Sequence, residues 1–144
     1  MIPFSNIYSI NLSKTPPDKL LLKKLIEQLS LEGKNRIPLF DEQSRIKYII
    51  HRSMIDMYLA KCAFDPNFSE NASTITLSQI LENQSMKTIF ETTYGLVSEE
   101  CSLADVKAKM DSLPDCRDVF VTQNGTKEEP VLGWVTNIIL GQSK

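Results

Sequence analysis

Few residues in this 144-residue chain could do chemistry. One histidine, His51, ends the apolar run "RIKYIIH", and Thr136 ends a similar run, "EPVLGWVT". Two arginines, Arg36 and Arg117, head the apolar segments "RIPLF" and "RDVFV". An imidazole can contact a phosphate or switch with pH, and a guanidinium is a forked donor suited to an anion. No nucleophile stands in a set with a base, there is no P-loop, and a single histidine restricts acid–base chemistry. Cys62, Cys101 and Cys116 lack metal-ligand spacing and form no CxxC, so no metal site is expected. These residues point to binding rather than catalysis. Plainer readings stand beside that one: a hydrogen-bonded strand-end residue for His51, surface charge for Arg36 and Arg117, and core packing for Trp134 and Tyr48.

The elements that must position them follow from apolar spacing. "PPDKLLLKKLIEQLSLEG" predicts an amphipathic helix, with Asp18 at its start, Leu21, Leu22, Leu25, Ile26 and Leu29 on one face, and Gly33 as its stop. "RIPLFDEQ" predicts a strand and turn, "RIKYIIH" the returning strand, and "SMIDMYLAK" a helix. The polar stretch "CAFDPNFSENAST" predicts a linker. "TLSQILEN" predicts a short helix capped by Thr76, and "IFETTYGLV" predicts extended structure. "CSLADVKAKMDSLP" predicts a helix with Leu103, Val106, Met110 and Leu113 on one face. "RDVFVTQNG" runs into an Asn-Gly turn, a strong hairpin signal. "EPVLGWV" returns, and "TNIILGQSK" starts a last helix.

The order is helix, strand, turn, strand, helix, twice over. At an offset of about 81, Leu22 falls on Leu103, Leu25 on Val106 and Leu29 on Met110. Arg36 then falls on Arg117, Leu39 on Phe120 and Ser44 on Gly125. After an insertion, "TKEE", confined to the second turn, His51 falls on Thr136. The division is a first repeat over 1–65, a linker over 66–75 and a second repeat over 76–144. Each half alone is too small to bury a good core, so the apolar hairpins are expected to face each other.

This tandem unit resembles the CBS domain, the regulatory module named after cystathionine β-synthase. "RIPLFDE" is similar to that family's R-h-P-V-V-D strand, and "GWVTNII" to its G-h-h-T-x-x-D corner (h, hydrophobic). The resemblance implies an α+β fold of tandem CBS repeats. Each repeat would have a three-stranded sheet and two helices, and the repeats would pack sheet to sheet with pseudo-two-fold symmetry. It also implies a cleft for AMP, ADP, ATP or S-adenosylmethionine, lined by Arg36, Ile37, Pro38, His51, Met54, Arg117, Val119, Thr136 and Ile139.

Neither copy keeps the full signature. Gly133 and Thr136 match in the second repeat, but Ile139 holds the aspartate position. In the first repeat the corresponding residues are Tyr48, His51 and Met54. A carboxylate can take two vicinal ribose hydroxyls at once, and both copies have lost it. Ser53–Asp56 spells S-x-x-D two positions out of register, which makes Asp56 a solvated helix residue.

A formal net charge of −2 with no clustered basic excess argues against a nucleic-acid partner. No apolar run approaches the length of a membrane span. The "MIPFSNIYS" start lacks the pattern of a signal peptide, and three unpaired cysteines suit a reducing compartment, so the expected location is cytoplasmic. The expected function is a non-catalytic regulatory module sensing an adenosine-type ligand. The alternative is a ligand-free dimerisation or protein-interaction module. Expected partners are a second copy, bound through helix faces carrying Met54, Met57 and Leu140, and an effector domain or protein.

Overall fold

The computed structural model describes residues 1–67 and 72–142. It contains two sheets. One is built from β2 (Ile10–Asn11), β3 (Arg36–Phe40) and β4 (Ile46–His51), in the order β2-β3-β4. The other uses β1 (Ile2–Pro3), β5 (Tyr94–Ser98), β6 (Asp118–Thr122) and β7 (Gly133–Thr136), in the order β1-β7-β6-β5. In each sheet a parallel pair (β2 with β3, β5 with β6) is followed by an antiparallel hairpin (β3 with β4, β6 with β7). The helices are α1 (Leu22–Leu31), α2 (Arg52–Phe64), α3 (Leu77–Leu81), α4 (Gln84–Thr92), α5 (Leu103–Ser112) and α6 (Asn137–Gln142). This is the expected α+β arrangement of two repeats.

Three apolar layers hold it together. Ile37, Leu39 and Ile50 face α1 to α4, where Leu22, Leu25, Leu29, Ile55, Leu77, Ile80 and Phe90 close the first core. Val119, Val121 and Val135 face Val106 and Met110 of α5 in the third. Between the sheets, Phe40, Ile46, Ile49, Tyr94, Phe120, Val131 and Trp134 form the middle layer. There Phe120 packs edge-on to Phe40 and Tyr94 and stacks on Trp134. Side chains alternate across a strand, so each hairpin serves its own helices with one face and the opposite sheet with the other.

Several sequence expectations change. The second sheet has four strands rather than three, because Ile2 and Pro3 pair with Trp134 and Gly133. The Met1 side chain lies against Gly133, where a Cβ would stand, so a larger residue there would require the flexible Met1 side chain to move aside. The first helix starts at Leu22 rather than Asp18, which sits in a 3-10 turn over Pro17–Lys19. The backbone of Leu20–Leu22 is committed elsewhere: Leu22 N–H donates to Ile75 O and Leu77 N–H to Leu20 O. "IFETTYGLV" is extended only from Tyr94. Its first residues belong to α4, where Met86, Ile89 and Phe90 reach the first core at helical spacing. That packing overrides β-propensity. The α2 helix runs on to Phe64, into the segment read as linker. Residues 68–71 of that segment lie outside the described residues.

The Asn-Gly turn is not a two-residue hairpin. A loop over 123–132 joins β6 to β7, organised by the Glu129 carboxylate. Glu129 accepts from Thr122 Oγ1, from the backbone and side-chain N–H groups of Asn124, and from the backbone N–H and hydroxyl of Thr126. Desolvation, which would raise its pKa, is outweighed by these bonds, which hold it at about 2.

Candidate functional site

The hairpin pairing fixes which residues of the two repeats correspond. Arg36 pairs with His51 in the first hairpin and Asp118 with Thr136 in the second. Arg52 N–H donates to Asn35 O at 2.9 Å, and Asn137 N–H to Arg117 O at 3.0 Å. Arg36 therefore corresponds to Asp118, and Arg117 to Asn35. The offset of 81 holds for α1 and α5, but the loop before β6 (113–117) is one residue longer than the loop before β3 (32–35). Gly33 and Asp115 mark the same left-handed position in these loops, with φ of 63° and 55°. The one-residue difference matters because a slip of one reverses every side chain in a strand. Leu39 lies in the first core and Phe120 between the sheets, so these two are not equivalent.

Arg36 and Asp118 meet across the pseudo-two-fold relation. Arg36 Nη1 lies 2.9 Å from Asp118 Oδ2, and Arg36 Nη2 donates to Asn137 Oδ1 at 3.1 Å. Trp134 Nε1–H donates to Asp118 Oδ1 at 3.0 Å. The Asp118 side chain is fully buried. Burial pushes its carboxyl upward, and Arg36 and Trp134 pull against that shift. Trp134 is thus a core residue with its N–H satisfied.

Above this pair a cavity of about 530 Å3 opens between the repeats. Asn35 and Arg117, the loop counterparts, line it from the two sides. So do Arg52 and Asn137, the first residues of α2 and α6, with Arg36, His51, Ser53, Asp56 and Ile138. A second cavity of about 200 Å3 adjoins it through His51, Ser53 and Arg117, and adds Met54, Ile89, Thr93 and Asp115. Three guanidinium groups converge on the larger space. Arg36 is committed to Asp118, and Arg52 makes a long contact of 3.8 Å with Asp56. Arg117 makes no ion pair among the described residues.

His51 stands between the two cavities. Its Nε2 lies 2.8 Å from Thr93 Oγ1, whose hydroxyl proton goes to Ile89 O at 2.8 Å. That chain assigns the Nε2–H tautomer to His51, with Thr93 as acceptor. Burial, then Arg36 and Arg117, lower the His51 pKa to about 4 against an opposing pull from Asp115, so the ring is neutral near pH 7.

The residues singled out in the sequence separate into two groups. Arg36, His51 and Arg117 line the larger cavity, and Met54 the smaller. Thr136 Oγ1 accepts from Ile139 N–H and so caps α6. Ile37 is buried in the first core and Val119 in the third, while Pro38 is buried opposite Ile49 in the hairpin. Ile139 packs against the third core. None of these five lines either cavity. Asp56, read as a solvated helix residue, is exposed and lies on the rim of the larger cavity. Sequence reasoning missed Asp118, Thr93, Asn35, Arg52 and Asn137. A signal existed for Asp118: a carboxylate opening the apolar run "DVFV" must find a partner if that strand is buried. Thr93 offered none.

Among the described residues no group of three or more His, Cys, Asp or Glu side chains could hold a metal ion, and no helix is long and apolar enough to cross a membrane.

The backbone matches solved CBS-domain structures over nearly its whole length. CbpB from Streptococcus agalactiae superposes with a TM-score of 0.61 at 14% identity, covering 99% of this chain and 75% of that one. CBSX2 in complex with AMP gives 0.63 at 12% identity, covering 99% and 90%. CbpB in complex with c-di-AMP gives 0.61 at 15% identity, covering 99% and 79%. No protein-family model matches the sequence, and no curated protein does. At such identities the likeness is one of fold: this chain has the tandem CBS fold, as its two short motifs imply.

Proposed function

We propose that this chain, a tandem CBS fold, is a non-catalytic regulatory module that senses an adenosine phosphate in the paired cavities between its repeats. The observation that carries this reading is the convergence of Arg36, Arg52 and Arg117 on one cavity, beside a smaller one walled by Met54 and Ile89. Forked guanidinium donors suit phosphate oxygens. The N-terminus of the 13-residue α2 opens on the same space, and its cap residue, His51, makes no side-chain capping bond, which favours an anion there. Two neighbours of this fold were solved with AMP and with c-di-AMP. Within the adenosine class, AMP, ADP and ATP match three arginines better than S-adenosylmethionine, whose sulfonium adds a positive charge. The residues facing the cavities include no nucleophile paired with a base, and His51 already uses Nε2 on Thr93.

A thermal-shift series with AMP, ADP, ATP, S-adenosylmethionine and NAD tests this. A ligand at about 100 times its Kd stabilises the native state by about 2.7 kcal/mol, a shift of several degrees for a domain near this size. Adenosine phosphates are expected to shift the midpoint and S-adenosylmethionine not. Silence from all of them in a folded protein favours the second reading, a ligand-free association module.

That second reading has its own support. Met57 and Phe64 on α2 and Ile138 on α6 are exposed apolar residues on the outer helices. Met54 is turned instead toward the first core, and the Leu140 side chain lies outside the described residues. Association of two copies through these helices is compatible with either reading. A monomeric mass by light scattering at micromolar concentration would count against it.

A further inference from the structure

The smaller cavity contains Met54, the position at which the CBS corner would carry its aspartate. A nucleoside seated there would have no carboxylate on α2 within the signature to accept its ribose hydroxyls. The same cavity nevertheless has a carboxylate, contributed by the other repeat. We infer that Asp115 replaces the lost aspartate and binds the vicinal hydroxyls of a ribose in this cavity, which makes it a single nucleoside site per chain. The inference rests on the nucleotide-sensing reading above and assigns the residue that selects the sugar.

Three observations support it. Asp115 lines the cavity together with Ser53, Thr93, Arg117, Met54 and Ile89. Its carboxylate makes no hydrogen bond or ion pair among the described residues, so both oxygens are free to accept, as a vicinal diol requires. Its backbone has φ of 55°, a region that glycine occupies at least cost. The counterpart in the first repeat is Gly33, at 63°. The fold therefore needs no side chain at this position, and the second repeat places a carboxylate there, of a residue type among those that tolerate left-handed backbone.

The rest of the cavity suits the remainder of a nucleotide. Met54 and Ile89 offer an apolar slot for a base, and Arg117, shared with the larger cavity, leads to the three-arginine space. At about 200 Å3 the smaller cavity alone is below the usual range for ligand sites, but joined to its neighbour of about 530 Å3 it lies within it. The mirror site lacks these parts. Gly33 has no side chain, Ile139 packs into the third core, and the Thr136 hydroxyl oxygen is engaged in capping α6.

Titration calorimetry of the full chain with AMP and with 2′-deoxy-AMP tests the assignment, on the wild type and on Asp115→Asn and Asp115→Gly. The wild type is expected to bind one AMP per chain and to prefer it over the deoxy form by about tenfold or more, the range for hydrogen bonds to a charged group. Both variants are expected to bind the two ligands alike, at the affinity the wild type has for 2′-deoxy-AMP. Asp115→Gly relieves the left-handed backbone, so its loss of preference cannot be laid to misfolding. Equal binding of the two ligands by the wild type, or a preference that survives in both variants, overturns the assignment and leaves adenosine-phosphate sensing standing. No binding of AMP, ADP or ATP by the wild type removes both.

Discussion

Arg36 Nη1 lies 2.9 Å from Asp118 Oδ2, and these two residues are counterparts in the two hairpins. One strand position thus carries opposite charges in the two repeats, and the pseudo-symmetry brings them into contact. Asp118 is fully buried and its partner nearly so, with 15% of the Arg36 side chain exposed. Breaking such a pair from one side strands a buried charge. Asp118→Ala also orphans the Trp134 N–H, and should destabilise the fold by about 3–5 kcal/mol in urea unfolding. The double exchange Arg36→Met with Asp118→Leu should cost less than the two single losses together, because neither charge is then left behind.

Arg117 and Arg36 should separate binding from stability. Arg117 is exposed and has no ion-pair partner among the described residues, so Arg117→Ala should leave the unfolding midpoint within about 0.5 kcal/mol of wild type. Adenosine-phosphate affinity should fall about tenfold or more. Arg36→Ala should lower both. Calorimetry and urea unfolding on the same preparations check the split, and unaltered affinity in Arg117→Ala would count against the phosphate role.

His51 should make the protein acid-sensitive in a defined window. Its folded pKa of about 4 lies below the ordinary 6.5, so the folded state binds the proton less readily than the unfolded chain. Its contribution is fully present above about pH 6.5 and is lost as pH falls toward 4. Asp118, whose carboxyl burial pushes up, works in the opposite sense: folding becomes more favourable as it takes up a proton. Unfolding curves for wild type and His51→Gln between pH 7 and 4 isolate the histidine, and the variant should lose stability less steeply. A bound phosphate should oppose the lowering of the His51 pKa by Arg36 and Arg117, so binding should be accompanied by proton uptake near pH 5.

Glu129 should matter to the β6–β7 loop and not to the site. Glu129→Gln keeps one acceptor oxygen and loses the charge that Thr126 and Asn124 solvate. The expected result is a lower thermal midpoint with unchanged nucleotide affinity. Its depressed pKa, about 2, gives a contribution present above about 4.5 and lost as pH falls toward 2, so the wild-type and variant curves should converge in strong acid.

Much of the architecture was legible because it is written in apolar spacing. Leu22, Leu25 and Leu29 sit at helical intervals and are fully buried, and Val106 and Met110 repeat the pattern in α5. Gly33 stops the first helix in left-handed backbone, and Thr76 caps α3 through a capping box with Gln79. The α4 helix was misread because Ile89, Phe90 and the threonines favour strands locally, while the first core accepts them only at helical spacing. The two-residue β1 and β2 were invisible, since a strand that short carries no periodicity and owes its pairing to distant chain.

The candidate site divides along the same line. The sequence by itself determined the repeated unit, its two corners at His51 and Thr136, the loss of both signature carboxylates to Met54 and Ile139, and the presence of Arg36 and Arg117. These depend on residue type and near spacing. Only the tertiary structure decided that Arg36 answers to Asp118 rather than to Arg117, because one extra loop residue before β6 reverses the faces of a strand without changing its pattern. It also decided that His51 meets Thr93, 42 residues away, and that Asp115 and Met54 line the same cavity. Those pairings arise when two sheets close on a shared core, and no local property of either residue encodes the partner it will meet.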